Sequence, residues 1–300
     1  MHRLGTVALC GLLVLAGCSA VPGGGPDDPG GPTPTLTPAP VPEPTEAPEE
    51  LAPGLTTDGV TDPLALANAH GEALGARYRF TSNWTVRYPN GTVFARADQS
   101  ATVTPDAFVA RVAAVGRPGF ITSGAETTAV FWSNRTALAT RVERDGRVSY
   151  RYADGVAYAD AAGFYTSLRR PRPWLNHYAL FSSVETRTVG RVDGAPTRYR
   201  VVGETLRDPA TFGATSGLRR ATNVSLEAIV SERGIVRSLH LSYSGRLPEG
   251  ERVRVTRRII YRSDAPEVTR PAWFDRAVND SREARNAAAR RIAAPRTGLR

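Results

Sequence analysis

Between Tyr78 and Tyr88 the chain alternates with period two. Tyr78, Phe80, Trp84, Val86 and Tyr88 are interleaved with Arg77, Arg79, Thr81, Asn83, Thr85 and Arg87. Successive strand side chains point to opposite faces, so this stretch buries its aromatics only as a strand with one face on a core. Pro89-Asn90-Gly91 then turns the chain back into a second strand. The pattern recurs, predicting strands near 92–103, 106–115, 126–133, 136–143, 147–153, 185–192, 196–205, 222–232, 235–245 and 251–263. Turn pairs at Ser133-Asn134, Asp145-Gly146, Asp154-Gly155 and Asp193-Gly194 separate several of them. In the last strand Val253, Val255, Ile259 and Tyr261 face one way, and Arg252, Arg254, Arg258 and Arg262 the other.

Helices interrupt the strands at few places. Asp62 is a cap, Pro63 suits a first helical position and Gly75 ends the segment, with Leu66, Ala69, Ala73 and Leu74 on one face. His70 lies near that face and reads as a buried or rim histidine rather than a ligand. Phe164, Leu168 and the stretch Trp174 to Ser183 have helical spacing behind the breaker Arg169-Arg170-Pro171-Arg172-Pro173. A short helix is predicted near 208–214. The order helix, strands, helices, strands gives an α+β fold: a large curved antiparallel sheet with helices on its concave face. A split into two domains near 160–184 would leave each half short of core.

The segments outside 56–275 differ in composition. Residues 1–18 open with His2 and Arg3, followed by the apolar run Leu4 to Ala16. Thirteen helical residues would span only about 20 Å, too little for a bilayer, which fits a signal peptide. The run closes on Leu15-Ala16-Gly17-Cys18, the pattern read by lipoprotein signal peptidases, whereas an ordinary secretory signal would carry Cys18 by chance. Lipidation of Cys18 with two chains would hold the protein at the extracytoplasmic face of the membrane. Removing the signal would also remove Cys10 and leave Cys18 alone, excluding a disulfide framework. Residues 19–55 have recurrent proline with Gly, Thr and Glu, the composition of a disordered, semi-stiff linker. Residues 276–300 read as a basic disordered or frayed helical tail.

All 38 basic residues are arginine, against 29 acidic ones, a balance that admits an anionic envelope partner. Few aromatics lie between the arginines, so a nucleic-acid surface is not indicated. Five of the eight asparagines open N-glycosylation sequons: Asn83, Asn90, Asn134, Asn223 and Asn279. A G-x-S-x-G elbow, paired histidines at zinc spacing and a strand-to-helix glycine loop are all missing, so no catalytic residue, metal ligand or cofactor is assigned. Two arginines sit against the pattern. Arg237 interrupts Ile235, Leu239, Leu241 and Tyr243, and Arg257 interrupts Val253, Val255, Ile259 and Tyr261. A charge facing a core costs several kcal/mol unless it is paired or wet. Both therefore become candidates for a polar spot that takes an anionic headgroup, unless they lie at an edge or snorkel outward. Trp174, Tyr178 and Phe181 are core aromatics or a lid over the concave face.

Several local strings then carry a resemblance: Asp58-Gly59-Val60-Thr61-Asp62, Arg87-Tyr88-Pro89-Asn90-Gly91-Thr92, Tyr178-Ala179-Leu180-Phe181, Glu232-Arg233-Gly234-Ile235-Val236-Arg237 and Arg270-Pro271-Ala272-Trp273. Through them and the Cys18 motif the chain resembles a family of uncharacterised haloarchaeal lipoproteins. The family implies no activity, so no site residue is carried over. In architecture the chain also looks like the LolA/LppX half-barrel lipoproteins, which implies a hydrophobic ligand held in the hollow of the sheet. The expected protein is thus a monomeric, non-enzymatic surface lipoprotein binding a lipid or other hydrophobic ligand. The alternative is an envelope interaction protein with a filled core, acting through its basic surface or glycans. An apolar cavity of several hundred Å³ between sheet and helices would favour the first, and a packed core the second.

Overall fold

The computed structural model describes residues 47–116, 124–134, 136–155, 173–193, 196–209, 212 and 218–293. The predicted signal segment, Cys18, residues 19–46 and most of the short helix expected near 208–214 lie outside the described residues. The compact unit begins at Ala47, earlier than the predicted end of the linker. Strands β1 (Glu50–Ala52), β2 (Leu55–Thr56) and β3 (Gly59–Val60) form a small antiparallel sheet there, with Leu55 and Val60 fully buried. Leu51 and Leu55 supply apolar surface that the proline-rich run before them lacks.

Helix α1 (Pro63–Leu74) starts where its cap demands: the Asp62 carboxylate accepts from the backbone N–H groups of Leu64 and Ala65 at 3.0 and 2.9 Å. Six strands follow as a meander: β4 (Tyr78–Arg87), β5 (Val93–Val103), β6 (Ala107–Gly116), β7 (Gly124–Asn134), β8 (Ala137–Arg144) and β9 (Arg147–Asp154). Helix α2 (Pro173–Ser183) leads directly into a second meander. Its strands are β10 (Val184–Val192), β11 (Arg198–Leu206), β12 (Arg219–Ser231), β13 (Val236–Arg246) and β14 (Arg252–Arg262). Antiparallel pairing of β14 with β4 fuses both meanders into one curved, unclosed eleven-stranded sheet, ordered β10-β11-β12-β13-β14-β4-β5-β6-β7-β8-β9. The α+β half-barrel expected from the sequence is the fold observed.

The two edges of the sheet are protected. At β10, Thr188 Oγ1 donates to the Thr56 carbonyl (2.6 Å) and Thr186 Oγ1 accepts from Val60 N–H (2.9 Å), so the small sheet covers the edge. At β9, Tyr152 N–H donates to Ser281 Oγ at 2.7 Å, from helix α3 (Phe274–Ala293). The tail read as disordered or frayed helical is a helix as far as Ala293. It docks through Phe274, which meets Trp132 edge-on at 5.1 Å and Tyr152 at 5.5 Å, and through fully buried Ala277. Strand parity places α3 on the convex face: Phe131 of β7 belongs to the main core, whereas its neighbour Trp132 belongs to the cluster with Ala277. Among the helices of the described residues, α1 and α2 lie on the concave face.

Helix α1 approaches the sheet closely where Gly234 ends the β12–β13 turn. Gly234 has φ +79°, and a Cβ there would lie 2.6 Å from Cβ of Ala69. Gly234→Ala is expected to cost at least about 1 kcal/mol, from the left-handed backbone and from the clash together. Denaturant unfolding of Gly234→Ala, with and without Ala69→Gly, measures both parts. The double variant should recover the steric share, and strict additivity of the two changes would show that α1 does not press on this turn.

Candidate functional site

The β14–β4 seam sets the inner face row by row. Tyr243, Val255 and Val86 form one row, Leu241, Arg257 and Trp84 the next, then Leu239, Ile259 and Ser82, and finally Tyr261 and Phe80. Arg257 thus stands inward between a leucine and a tryptophan. Above it lies α2, which contributes His177, Ala179 and Leu180, while Phe212 closes one side, edge-on to Tyr243 at 5.0 Å. Together with Leu239 and Ile259 these residues enclose a cavity of about 190 Å³ between sheet and helix. It is smaller than the several hundred Å³ that a whole lipid chain would need, yet the core is not filled.

Arg257 is half-buried and forms no hydrogen bond or ion pair among the described residues. Removal from bulk water lowers its pKa from the usual arginine range, and the Tyr261 and Tyr243 rings nearby act in the opposite direction. An arginine remains charged even so. The arrangement is an apolar pocket with one fixed, unneutralised cation in its floor. Such a pocket is suited to an apolar group carrying a negative end.

Beside the cavity two histidines pack ring to ring. His70 of α1 meets His177 of α2 edge-on at 4.6 Å, and both meet Tyr261, at 4.7 and 5.8 Å. The backbone N–H of Val236 donates to His70 Nδ1 at 3.1 Å, so the proton of the neutral ring resides on Nε2. His70 Nε2 and both nitrogens of His177 have no protein partner among the described residues. Burial, then the charge of Arg237, lowers the His70 pKa to about 4. Burial lowers that of His177 well below its ordinary value, with further contributions from His70 and Arg257. Both rings are neutral at neutral pH and fasten α1 and α2 to β14. Among the described residues no third histidine, cysteine or carboxylate joins them to make a metal site.

The residues singled out from the sequence divide sharply. Arg257 lies in the cavity. Arg237 does not: it sits toward the other end of the seam, in a separate shallow groove with Arg198 and Tyr261, where its guanidinium donates to Ser263 Oγ at 3.3 Å. The His70–His177–Tyr261 cluster stands between them, so the two arginines do not form a shared polar spot. Tyr178 and Phe181 do not line the cavity. Phe181 is fully buried in the core, Tyr178 is exposed, and Trp174 belongs to α2 with its side chain outside what is described. The sequon asparagines Asn83, Asn90, Asn223 and Asn279 are exposed, and Asn134 is half-buried, its Oδ1 accepting from Thr136 and Ala137 N–H in the β7–β8 turn. Trp84, Leu239, Leu241 and Tyr243 were visible in the sequence as apolar alternation without a role. His177, Leu180 and Phe212 gave no signal, because their partners lie far away in the chain.

No protein-family model and no curated protein matches the chain. Among solved structures it is similar to LprF from Mycobacterium bovis at 13% identity, covering 70% of this chain and 95% of that one, with a TM-score of 0.35. MucB in complex with MucA(peri) is similar at 17% identity over 70% and 60% of the two chains, with a TM-score of 0.27. A DUF1329 family protein from Desulfovibrio piger follows at 11% identity over 73% and 98%, with a TM-score of 0.24. These are likenesses of outline. Function is read from this chain's own residues.

The histidine pair makes stability depend on pH in a definite direction. A histidine in the unfolded chain titrates near 6.5. Below that pH the unfolded chain takes up a proton that native His70 refuses until about pH 4. The stability contribution is complete above about pH 6.5 and declines as pH falls toward 4, by about 3 kcal/mol from His70 alone. His177 acts in the same sense. The thermal midpoint should drop on acidification through this window, and His177→Leu should shallow the drop. An unchanged slope in that variant would remove the pair as its cause.

Proposed function

We propose that the protein is a membrane-anchored lipoprotein of the extracytoplasmic face that holds an amphipathic ligand between its curved sheet and α2. The supporting observation is the cavity itself: Trp84, Leu180, Phe212, Leu239, Leu241, Tyr243 and Ile259 make an apolar wall around the unpaired Arg257. Apolar surface in the wall takes the hydrocarbon part of a ligand, and Arg257 takes a carboxylate or phosphate headgroup through its planar fork. At about 190 Å³ the hollow receives the headgroup and its first carbons. The reading is one of binding rather than catalysis, since no carboxylate, serine or cysteine accompanies His177 among the described residues of the cavity wall.

An unpaired inward charge lowers stability, so a residue kept for binding should show a trade-off. Arg257→Leu is expected to raise the unfolding free energy by about 1 kcal/mol or more. The same change should weaken binding of a fluorescent fatty acid by about tenfold or more, while the matching fatty alcohol binds as before. Leu241→Trp, which fills the cavity, should weaken both probes. Equal binding of both probes by all three proteins would place the ligand elsewhere or nowhere.

The anchor rests on Leu15-Ala16-Gly17-Cys18. Cys18→Ser is expected to leave the precursor uncleaved or to release the protein into the medium, as read by fractionation and immunoblotting. Normal processing with unchanged membrane retention would eliminate Cys18 as the attachment point.

A further inference from the structure

The convex face carries a second feature, independent of the cavity. At the far end of β12, β13 and β14 the register places Arg219, Arg246 and Arg252 in one row, and Thr222, Ser244, Arg254 and Arg87 in the next. Like charges directly opposite one another on adjacent strands repel, and here arginine faces arginine in both rows. The register of β12 shifts twice in this region, between Arg219 and Thr222 and between Thr222 and Ser225. Arg220 and Asn223 take left-handed backbone there, with φ of 53° and 52°. Non-glycine residues held in that region are uncommon and costly. The irregular strand opens a cleft of about 450 Å³, into which Arg220, Arg246, Arg252 and Arg254 all converge with the hydroxyl-bearing Thr222 and Ser244.

Elsewhere on the same sheet two outward arginines have acidic partners: Arg96 pairs with Asp98 at 2.6 Å and Arg200 with Glu227 at 3.0 Å. In the cleft, no carboxylate among the described residues pairs with any of the four. Glu249 and Glu251, in the adjoining β13–β14 turn, close no ion pair with them. Arg246 donates to the Gly250 carbonyl at 2.9 Å, which fixes the guanidinium without neutralising it.

We propose that this cleft binds a discrete ligand carrying two or more phosphate or sulfate groups. Tetrahedral oxyanions match the arginine fork and remove the repulsion between facing rows. The recessed shape favours a discrete ligand over a flat anionic membrane surface. Asn223 lines the same cleft and opens a sequon, so a glycan there would occupy the site. The form to titrate is therefore full-length protein in detergent, made in a host without N-glycosylation.

Calorimetric titration with tripolyphosphate should show one saturable site that weakens with added salt. The double variant Arg246→Ala/Arg254→Ala should lose about 30-fold or more in affinity, because two charge-assisted contacts disappear. Arg258→Ala, on the same strand and face but outside the cleft, should stay within about twofold of the native protein. The probe should raise the thermal midpoint of the native protein and not that of the double variant, which also establishes that the variant is folded. Absence of saturable binding, or equal affinity of native and double-variant protein, overturns the proposal. So does binding confined to phosphatidylcholine vesicles doped with phosphatidylglycerol, which would identify a membrane-facing surface instead.

Discussion

The pairing of β14 with β4 is the interaction on which everything else in this molecule depends. Each meander is built from hairpins and follows from local turns. The seam joins residues near the start of the domain to residues near its end, in register from Arg254 with Arg87 to Arg262 with Arg79. Without it there would be two small sheets, each with exposed inner aromatics and an extra open edge. With it, Trp84 stands beside Arg257, and α1, which precedes β4, lies over strands that arrive almost 200 residues later. The closure entropy of so long a loop grows only slowly with length, but it must be met before any inner-face contact forms. The seam and the helices that cover it are therefore expected to consolidate together.

Much of this was legible in the sequence, and the limits have physical causes. Strand positions were readable because a one-residue slip would turn each apolar set to solvent, which fixes the period locally. Asp62, Pro63 and Gly75 defined α1 through cap chemistry that needs no tertiary context. Arg257 was legible as an anomaly in an apolar row, but Arg237 gave the same signal. The difference lies in place: Arg257 is held between Trp84 and Leu241 under α2, whereas Arg237 sits at a strand end whose side chain reaches Ser263. Periodicity states which face a residue takes and is silent about what covers that face.

The parts that were not legible all involve contacts between segments far apart in the chain. Helix α3 looked like a frayed tail because its later turns are rich in alanine and arginine. Its apolar docking residues are Trp273, just ahead of the helix, Phe274 and Ala277, too few to make a stripe that marks a buried helix. The His70–His177 contact joins α1 to α2 across more than 100 residues, so neither histidine had a visible partner. Burial, with His70 Nε2 and both His177 nitrogens lacking a hydrogen-bonding partner among the described residues, then makes both act as aromatic packing at neutral pH and as a liability in acid.

Strand β14 concentrates the charge of the domain on both of its faces. Its even-numbered arginines 252, 254, 258 and 262 go outward, and Arg257 goes inward, so alternate residues meet opposite requirements for solvation. The outward arginines remain wet and repel one another, a cost that an arriving oxyanion reverses. Arg257 is surrounded by tryptophan, leucine and tyrosine, and no acidic side chain among the described residues offsets its charge. A hydrophobic residue in that row would pack against Trp84 and Leu241 without this penalty. The strand thus forgoes stability at two separate places, on opposite faces. The common feature is an arginine without an acid in a hollow large enough to admit a ligand. That pairing of unmet charge with open space distinguishes these arginines from those elsewhere on the sheet that are matched to Asp98 and Glu227.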